Sequence, residues 1–278
     1  MRILLTNDDG IDSVGLHILA RAIAPLGEVV VAAPDREFSG AGAAVGALHE
    51  MRPEVRRAKI DGIDEVWKVN GPPALCVMFG RLGAFGKPFD LVVSGINPGA
   101  NVGRAVYHSG TVGAALTARN GGVSGVAVSQ AVLGFGIEGQ GWDEMLVGQK
   151  WDTAAAVAQA YVRGLLQNLP EDPAVVNINV PNVELSEIKG WKHADVGVAP
   201  NRTMATAELI PIEGHTDAFD VKMSWGAAEA TPKGTDTALI EDGYVTVTNL
   251  GRLMPEPRND LGSAESGLSE FLSELLLS

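Results

Sequence analysis

Two adjacent carboxylates, Asp8 and Asp9, end a short apolar run near the start of the chain, in ILLTNDDG. Oxygen-bearing side chains also follow two later apolar runs: Ser39 in PDREFSGAG, then Asn97 and Asn101 in INPGANVG. Carboxylate, hydroxyl and amide oxygens without His or Cys are hard ligands, which suit magnesium, manganese or calcium rather than zinc. The two acids together would offset the two positive charges of such an ion. The residue types therefore predict a divalent-metal site.

Each of these clusters also has a plain structural explanation. Asn, Asp and Gly are the commonest turn residues, so a turn explains NDDG alone at least as well. Ser39 suits a helix cap or an ordinary loop, and NPGAN has the composition of a turn. Adjacent strand residues point to opposite faces, so Asp8 and Asp9 converge on one ion only if the chain turns, which Gly10 permits. The arrival of all three clusters at successive strand ends favours the metal site.

A second signal lies in HSGTVGAAL, where Ser109, Gly110 and Thr111 precede a helical pattern that begins with small residues. Free backbone N–H groups at a helix start attract an anion, and glycine lets a phosphate approach closely. The stretch is neither a P-loop, because no Gly-Lys-Ser/Thr follows, nor a dinucleotide fingerprint. Taken alone, this motif is better explained as an ordinary Ser/Thr N-cap. His108, directly before it, is a candidate to protonate a leaving group, with a structural role as the equal alternative.

The elements that must position these residues alternate between strands and helices. Apolar runs at 3–6 and in EVVVAAP, FDLVVSG and GVAVS predict strands buried on both faces, because they lack polar alternation. Apolar residues at helical spacing predict helices at 15–26, 73–82 and 111–120. This alternation predicts an α/β fold with a Rossmann-like, mostly parallel sheet and helices on both faces. Ligands of such sheets bind at the carboxyl ends of the strands, where the polar clusters fall.

The second half of the chain changes in character. A Gly-rich loop is expected at 134–141, a helix at 151–169 and a strand in AVVNINVP. FDVKMSW and YVTVTNL then alternate polar and apolar residues, which predicts antiparallel strands with one wet face. We therefore divide the chain into a catalytic core at 1–182 and a smaller, β-hairpin-rich extension at 183–278 that ends in a helix at 267–277. The apolar face of that helix suits a partner subunit, and covering its own domain explains it equally well.

Composition narrows the classes of partner and environment. The 278 residues carry a net charge of −13, so there is no general electrostatic attraction to DNA, RNA or an anionic membrane surface. The single cysteine, Cys76, excludes an intrachain disulfide, and we expect it to pack in the core. No apolar run approaches the ~18 residues that a membrane span needs, and the apolar start is too short for a signal-peptide core. We expect a cytoplasmic protein.

With these residues in view, the sequence resembles the SurE family, the survival-protein E nucleotidases. The matching stretches span most of the chain in the family's order: ILLTNDDGID, VVVAAPDREFSG, VNGPPALCV, DLVVSGINPGANVG, YHSGTVGAA, GVAVSQ, VNINVP and GTDTALIEDGYVTVT. NDDG, SGIN and SGTVGAA together are highly specific, whereas each alone is not.

The resemblance implies a metal-dependent phosphatase that removes phosphate from nucleoside 5′- and 3′-monophosphates, with some members also trimming short polyphosphate. It implies a Rossmann-like fold whose C-terminal portion helps to build a homodimer or homotetramer, with one Mg²⁺ or Mn²⁺ per subunit. The family's metal ligands correspond to four positions of this sequence: Asp8, Asp9, Ser39 and Asn97. Its phosphate-proximal residues correspond to four others: Asn101, Ser109, Gly110 and Thr111.

The chain departs from the family's usual pattern in three places. Pro72 and Leu75 stand where the family usually has Thr and Asp. His108 is an additional residue between Tyr107 and Ser109, and GAGAAVGAL is blander than the usual run. These differences bear on substrate preference and subunit contacts, and they leave the metal set intact.

Our hypothesis from the sequence is a hydrolysis in which water attacks phosphorus directly and Asp9, or Asp8, accepts the water's proton. Asn101 and the helix start at 109–111 would stabilise the developing charge. An aspartyl-phosphate mechanism is the rival within enzymes, although such sites usually space their two acids one residue apart. Outside catalysis, the alternative is a regulatory protein that binds metal and nucleotide without turnover. A structural protein whose loop acids are only turns is the third.

Overall fold

The structure is a computed structural model of the 278-residue chain. It describes residues 1–46, 48, 50, 52–132, 146–198, 204–227, 230–258 and 260–277. The Gly-rich loop expected at 134–141 lies outside the described residues.

Parallel strands form the middle of a nine-stranded sheet in the described part of the chain. Its strands are β1 (Arg2–Thr6), β2 (Glu28–Pro34), β3 (Val55–Arg57), β4 (Glu65–Val69), β5 (Leu91–Pro98), β6 (Ser124–Gln130), β7 (Val175–Val180), β8 (Trp191–His193) and β11 (Val245–Asn249). The order across the sheet is β3-β4-β2-β1-β5-β6-β7-β11-β8. The strands from β4 to β7 run parallel, whereas β3 and β11 run antiparallel to β4 and β7. The predicted mostly parallel sheet is confirmed.

Helices pack on both faces of this sheet. One face carries α1 (Val14–Ile23) and α5 (Trp151–Gln167), and the other carries α2 (Pro73–Arg81) and α4 (Gly110–Asn120). The described ranges also contain α3 (Ala105–His108), α6 (Asp236–Glu241) and α7 (Gly262–Leu277). Cys76, a residue of α2, is fully buried in the core, as expected, and this burial raises the pKa of its thiol.

The continuous apolar runs explain why the central strands are enclosed. In β2, all residues after Glu28 are buried, with side chains alternating between the core beneath α1 and α5 and the core beneath α2 and α4. A strand covered by helices on both faces has no wet side, so β-branched residues such as Val30 and Val31 suit it throughout.

The expectation of one wet face is wrong for both C-terminal strands. In β11, Val245–Thr248 are buried because the strand lies between β7 and β8 in the large sheet. FDVKMSW forms β10 (Phe219–Trp225), which pairs with β9 (Met204–Pro211) in a separate two-stranded sheet. Nearly all residues of this hairpin are exposed on both faces. Alternation alone therefore did not distinguish an interior strand from a hairpin that stands clear of the core.

None of the described helices combines the length and the apolar character that crossing a membrane requires.

Candidate metal centre

The predicted polar clusters meet where the strand order reverses. From β1 the chain continues to β2 on one side, and it returns later to β5 on the other side. A reversal of this kind opens a crevice at the carboxyl ends of the strands, which is where open α/β sheets bind ligands. The segments that carry Asp8, Ser39 and Asn97 therefore share one edge of the sheet.

A fixed turn follows β1. Asn7 is fully buried, and its Nδ2 donates hydrogen bonds to the Gly10 carbonyl oxygen and to Ser13 Oγ, each at 3.0 Å. Gly10 has a φ of 102°, a conformation that favours glycine, and this confirms the turn expected there. Ser13 Oγ also accepts from the Leu16 N–H and so caps α1. The turn is therefore tied to the helix that follows it.

The carboxylate of Asp8 lies against the start of α4. Asp8 is only 3% exposed, and its Oδ1 accepts a hydrogen bond from the Thr111 hydroxyl. A Cβ at Gly110 would lie 2.7 Å from the Asp8 Cβ, so only glycine fits at this contact. Ser109 Oγ accepts from the Val112 N–H at 3.0 Å, which is the N-cap role that the sequence allowed. The HSGTV motif thus holds one of the two acids in place.

Burial disfavours the charged form of both acids. It raises the pKa of Asp8, and hydrogen bonds from Thr111 and the backbone of α4 offset the effect only in part. Burial also raises the pKa of Asp9 to about 8, and the negative charges of Asp8 and Glu37 add to the increase. In the described part of the chain, no Lys or Arg side chain forms an ion pair with either acid. A bound cation would offset the negative charges of this pair.

The segment after β2 is more open. The Phe38 N–H donates to the Asp8 carbonyl oxygen at 2.7 Å, which joins this segment to the end of β1. Ser39 is exposed, and its hydroxyl donates to Glu37 Oε1 at 2.7 Å. Ser39 therefore directly follows Phe38, the residue that bonds the Asp8 backbone, and its side chain is turned to a neighbouring acid, Glu37.

Asn97 and Asn101 occupy different settings at the end of β5. Asn97 is half-buried within the last part of the strand, and its Nδ2 donates to the Gly99 carbonyl oxygen at 2.6 Å. Asn101 is 7% exposed, and its Nδ2 donates to Ser129 Oγ at 2.8 Å. The backbone N–H of Asn101 donates to Asn179 Oδ1 at 2.7 Å. The side chain of Asn101 therefore belongs to a buried polar network at the end of β5.

Comparison with known proteins identifies the family of this chain. The family model described as survival protein SurE matches residues 3–203, which is more than half of the chain. The chain belongs to the SurE family. It is 35% identical to the 5′-nucleotidase SurE of Histophilus somni (strain 2336) over 252 residues, covering 89% of this chain and 91% of the relative. The corresponding protein of Acinetobacter baylyi is 36% identical over 258 residues, with 89% and 92% covered.

A solved structure agrees with the fold as well. The crystal structure of the SurE protein from Aquifex aeolicus superposes on the chain with a TM-score of 0.72 at 30% identity. The alignment covers 97% of this chain and all of that one. The likeness therefore extends through the SurE core and the C-terminal part.

The donor set of this SurE chain fits a hard divalent cation. Asp8 and Asp9 supply two adjacent carboxylates, and the buried Oδ1 of Asn7 beside them has no hydrogen-bond partner. Among the described residues, no three His, Cys, Asp or Glu side chains are arranged so that they could hold a metal ion by themselves, so the set depends on amide and hydroxyl oxygens besides the two acids. Oxygen-only sets of this kind suit Mg²⁺ or Mn²⁺ better than zinc.

Sequence reasoning missed several residues that shape the SurE site. Glu37 accepts a hydrogen bond from Ser39, and its negative charge helps to raise the pKa of Asp9. The available signal was an acid two residues before Ser39. The side chains of Asn177 and Asn179 form hydrogen bonds with the backbone of Asn101. The available signal for this contact was the presence of two Asn residues in an otherwise apolar strand.

The departures from the family pattern fall at separate places in the structure. His108 is exposed at the end of α3, and its carbonyl oxygen accepts from the Gly42 N–H at 2.9 Å. Leu75 is fully buried in the first turn of α2, which begins at Pro73 and has Pro72 at the N-cap position. Neither change alters the segment that holds Asp8 and Asp9.

Proposed function

We propose that this chain is a metal-dependent nucleotidase. It hydrolyses nucleoside 5′-monophosphates to nucleoside and phosphate, and it also accepts nucleoside 3′-monophosphates and short polyphosphate. The observation that carries the proposal is the adjacent pair of the buried Asp8 and the half-buried Asp9, which forms no ion pair with a Lys or Arg side chain in the described part of the chain. The relatives named 5′-nucleotidase SurE support the class of reaction.

One divalent ion per subunit, Mg²⁺ or Mn²⁺, is the proposed cofactor. Its proposed ligands are Asp8, Asp9, Ser39 and Asn97. A bound ion of this kind polarises a phosphate oxygen and lowers the pKa of water. The exposed Ser39 hydroxyl would exchange its hydrogen bond to Glu37 for the ion.

The two acids divide the remaining work. The Thr111 hydroxyl holds the Asp8 carboxylate in one orientation, which suits Asp8 to binding. Asp9 is the proposed base, because it is half-buried and therefore more open to a water molecule than the buried Asp8. It accepts the proton of the water that attacks phosphorus, with Asp8 as the alternative acceptor.

Asn101 and the Ser109–Thr111 turn are the proposed phosphate contacts. The start of α4 carries a partial positive charge, and Gly110 lets the Asp8 carboxylate lie directly against it. These groups stabilise the negative charge on the phosphoryl oxygens as the bond to the leaving group breaks. Positioned donors supply much of the acceleration in such reactions, because uncatalysed phosphomonoester hydrolysis is very slow.

The C-terminal part, 183–278, is proposed to build a homodimer or homotetramer around the catalytic core at 1–182. The exposed hairpin of β9 and β10 carries Phe219 and Val221, and α7 carries Leu268 and Phe271, all of them more than 45% exposed in the single chain. Apolar side chains of this number favour a partner surface. The proposed location is the cytoplasm, in keeping with the single, buried Cys76.

The test is phosphate release from nucleoside 5′- and 3′-monophosphates and from short polyphosphate, with chelator, Mg²⁺ and Mn²⁺ in turn. Asp9→Asn is compared with Asp12→Asn, which removes an exposed acid three residues away. We expect metal-dependent release by the wild type and by Asp12→Asn, and none by folded Asp9→Asn. Nucleotide binding without release under any metal would replace the nucleotidase by the regulatory binding protein. A trapped phospho-enzyme would indicate the aspartyl-phosphate route.

A further inference from the structure

Asp236, the first residue of α6, is a buried acid for which the proposed chemistry has no role. It is 0% exposed, and no Lys or Arg of the described ranges pairs with it. Its carboxylate accepts hydrogen bonds from three backbone N–H groups instead. Oδ2 accepts from Gly103 at 3.0 Å, and Oδ1 accepts from Gly197 at 2.9 Å and from Thr237 at 2.8 Å.

A local capping role explains only one of these bonds. The Thr237 N–H belongs to the first turn of α6, where an acid commonly satisfies a free backbone donor. Gly103 and Gly197, in contrast, lie 133 and 39 residues away along the chain. A buried carboxylate that bonds three separate donors connects the segments that carry them.

Gly103 lies two residues after Asn101 in the loop that follows β5. The same loop is held at Asn101 by the side chains of Asn177 and Asn179, and Arg104 Nε donates to the Val198 carbonyl oxygen at 2.9 Å. Apart from contacts with β6, such as the one from Asn101 Nδ2 to Ser129 Oγ, this loop is therefore bonded to strands and segments late in the chain.

We propose that Asp236 is a positioning residue, whose carboxylate fixes the Gly103 N–H and thereby holds the Asn101 loop in place for the phosphate ester. This role rests on the proposed function of Asn101 and extends it to a residue of the C-terminal part. Asp236 acts through the loop and not on the substrate.

Asp236→Asn tests this role with almost no change in shape. When the amide oxygen faces Gly197 and Thr237, the amide nitrogen faces the Gly103 N–H and cannot accept its hydrogen bond. We expect kcat/KM for a nucleoside monophosphate to fall by about tenfold or more, the size expected for a lost bond to a charged group. Mn²⁺ binding should be unchanged, because Asp8 and Asp9 are untouched. Asp242→Asn, at the exposed other end of α6, should match the wild type.

Gly197→Ala provides a second variant that keeps the charge of Asp236. A Cβ there would lie 3.2 Å from Asp236 Oδ1, so it presses on the same carboxylate. We expect the same direction of change with a smaller loss. Normal kcat/KM in both variants would overturn the proposal.

Amide hydrogen exchange tests the position of the loop without relying on catalysis. In Asp236→Asn the Gly103 amide should exchange faster, while Val93 in β5 keeps its protection. Unchanged exchange at Gly103, or faster exchange throughout the sheet, would contradict a positioning role. If the wild type releases no phosphate, the proposed function fails, whereas the exchange at Gly103 still decides whether Asp236 holds the loop.

Discussion

At the end of β1, the polar side chains are enclosed, whereas after β2 they face solvent. Asn7 is 0% exposed, Asp8 is 3% exposed, and Thr111 beside them is fully buried. Ser39 and Glu37, on the segment after β2, are both exposed and bond mainly to each other. The two segments are nevertheless joined by the bond from the Phe38 N–H to the Asp8 carbonyl oxygen.

The two halves of the site are therefore organised in different ways. The half at β1 and α4 is held in its geometry by protein contacts, so a change there disturbs a preformed arrangement. The half after β2 has few such contacts, and a ligand would complete it. Substitutions should therefore have large effects in the enclosed half and small effects in the exposed half.

The largest effect is expected from Asp8→Asn. Phosphate release should fall by roughly 10³-fold, in the upper range seen when one preorganised electrostatic group is removed. The free energy of unfolding without metal should rise, because the variant lacks a buried charge whose pKa is raised by burial. Activity assays and chemical denaturation in chelator measure the two quantities. A variant that loses stability and activity together would indicate that Asp8 only supports the fold.

A smaller loss is expected from Thr111→Val, which keeps the shape of the side chain and removes the hydrogen bond to Asp8. Activity should fall by about 10–100-fold, as for residues that orient a metal ligand. Thr117→Val is the matched control on the same helix, since its hydroxyl bonds only the Gly113 carbonyl oxygen in the first half of α4. Equal losses in the two variants would show that helix stability alone is responsible.

The pH dependence of stability separates the acid pair from the exposed half. Burial raises the pKa of Asp9 in the folded state to about 8 from its ordinary 3.8, so the folded state holds the proton to higher pH than the unfolded state. Without metal, the free energy of unfolding should therefore fall as pH rises from about 4 to about 8, by at most ~1.4 kcal/mol per pH unit. Denaturation in chelator across this range measures the slope, and Asp9→Asn should flatten it. The same slope in both proteins would contradict the assignment.

The smallest effect is expected from Ser39→Ala. An exposed hydroxyl contributes about 1 kcal/mol as a ligand, so activity should fall by roughly fivefold. The loss should be recovered at higher Mn²⁺, since water can take the position of the hydroxyl. Titration of activity with Mn²⁺ shows this directly. A loss as large as that of Asp8→Asn would remove the distinction between the two halves.

The sequence predicted the architecture because its signals were local and strong. Buried β-branched runs such as β2 predicted the strands, and the small residues at the start of α4 predicted that helix. The order of these elements predicted the edge of the sheet where Asp8 and Ser39 lie. Motif order predicted the SurE family, and the family model and relatives confirm it.

The remaining features depend on contacts between distant residues. Local composition does not show that Thr111 bonds Asp8 or that Asp236 bonds Gly103, since these pairs lie 103 and 133 residues apart. For the same reason, alternation did not show that β11 is an interior strand of the large sheet. Such pairs are set by tertiary packing, which single-sequence patterns do not encode.

The most direct test of the central claim is Mn²⁺ binding measured by calorimetry on the wild type, Asp9→Asn and Asp12→Asn. The account predicts one bound ion per chain in the wild type and in Asp12→Asn, and loss of that binding in Asp9→Asn. Binding that is absent from the wild type, or equal in all three proteins, would contradict a metal centre at the end of β1.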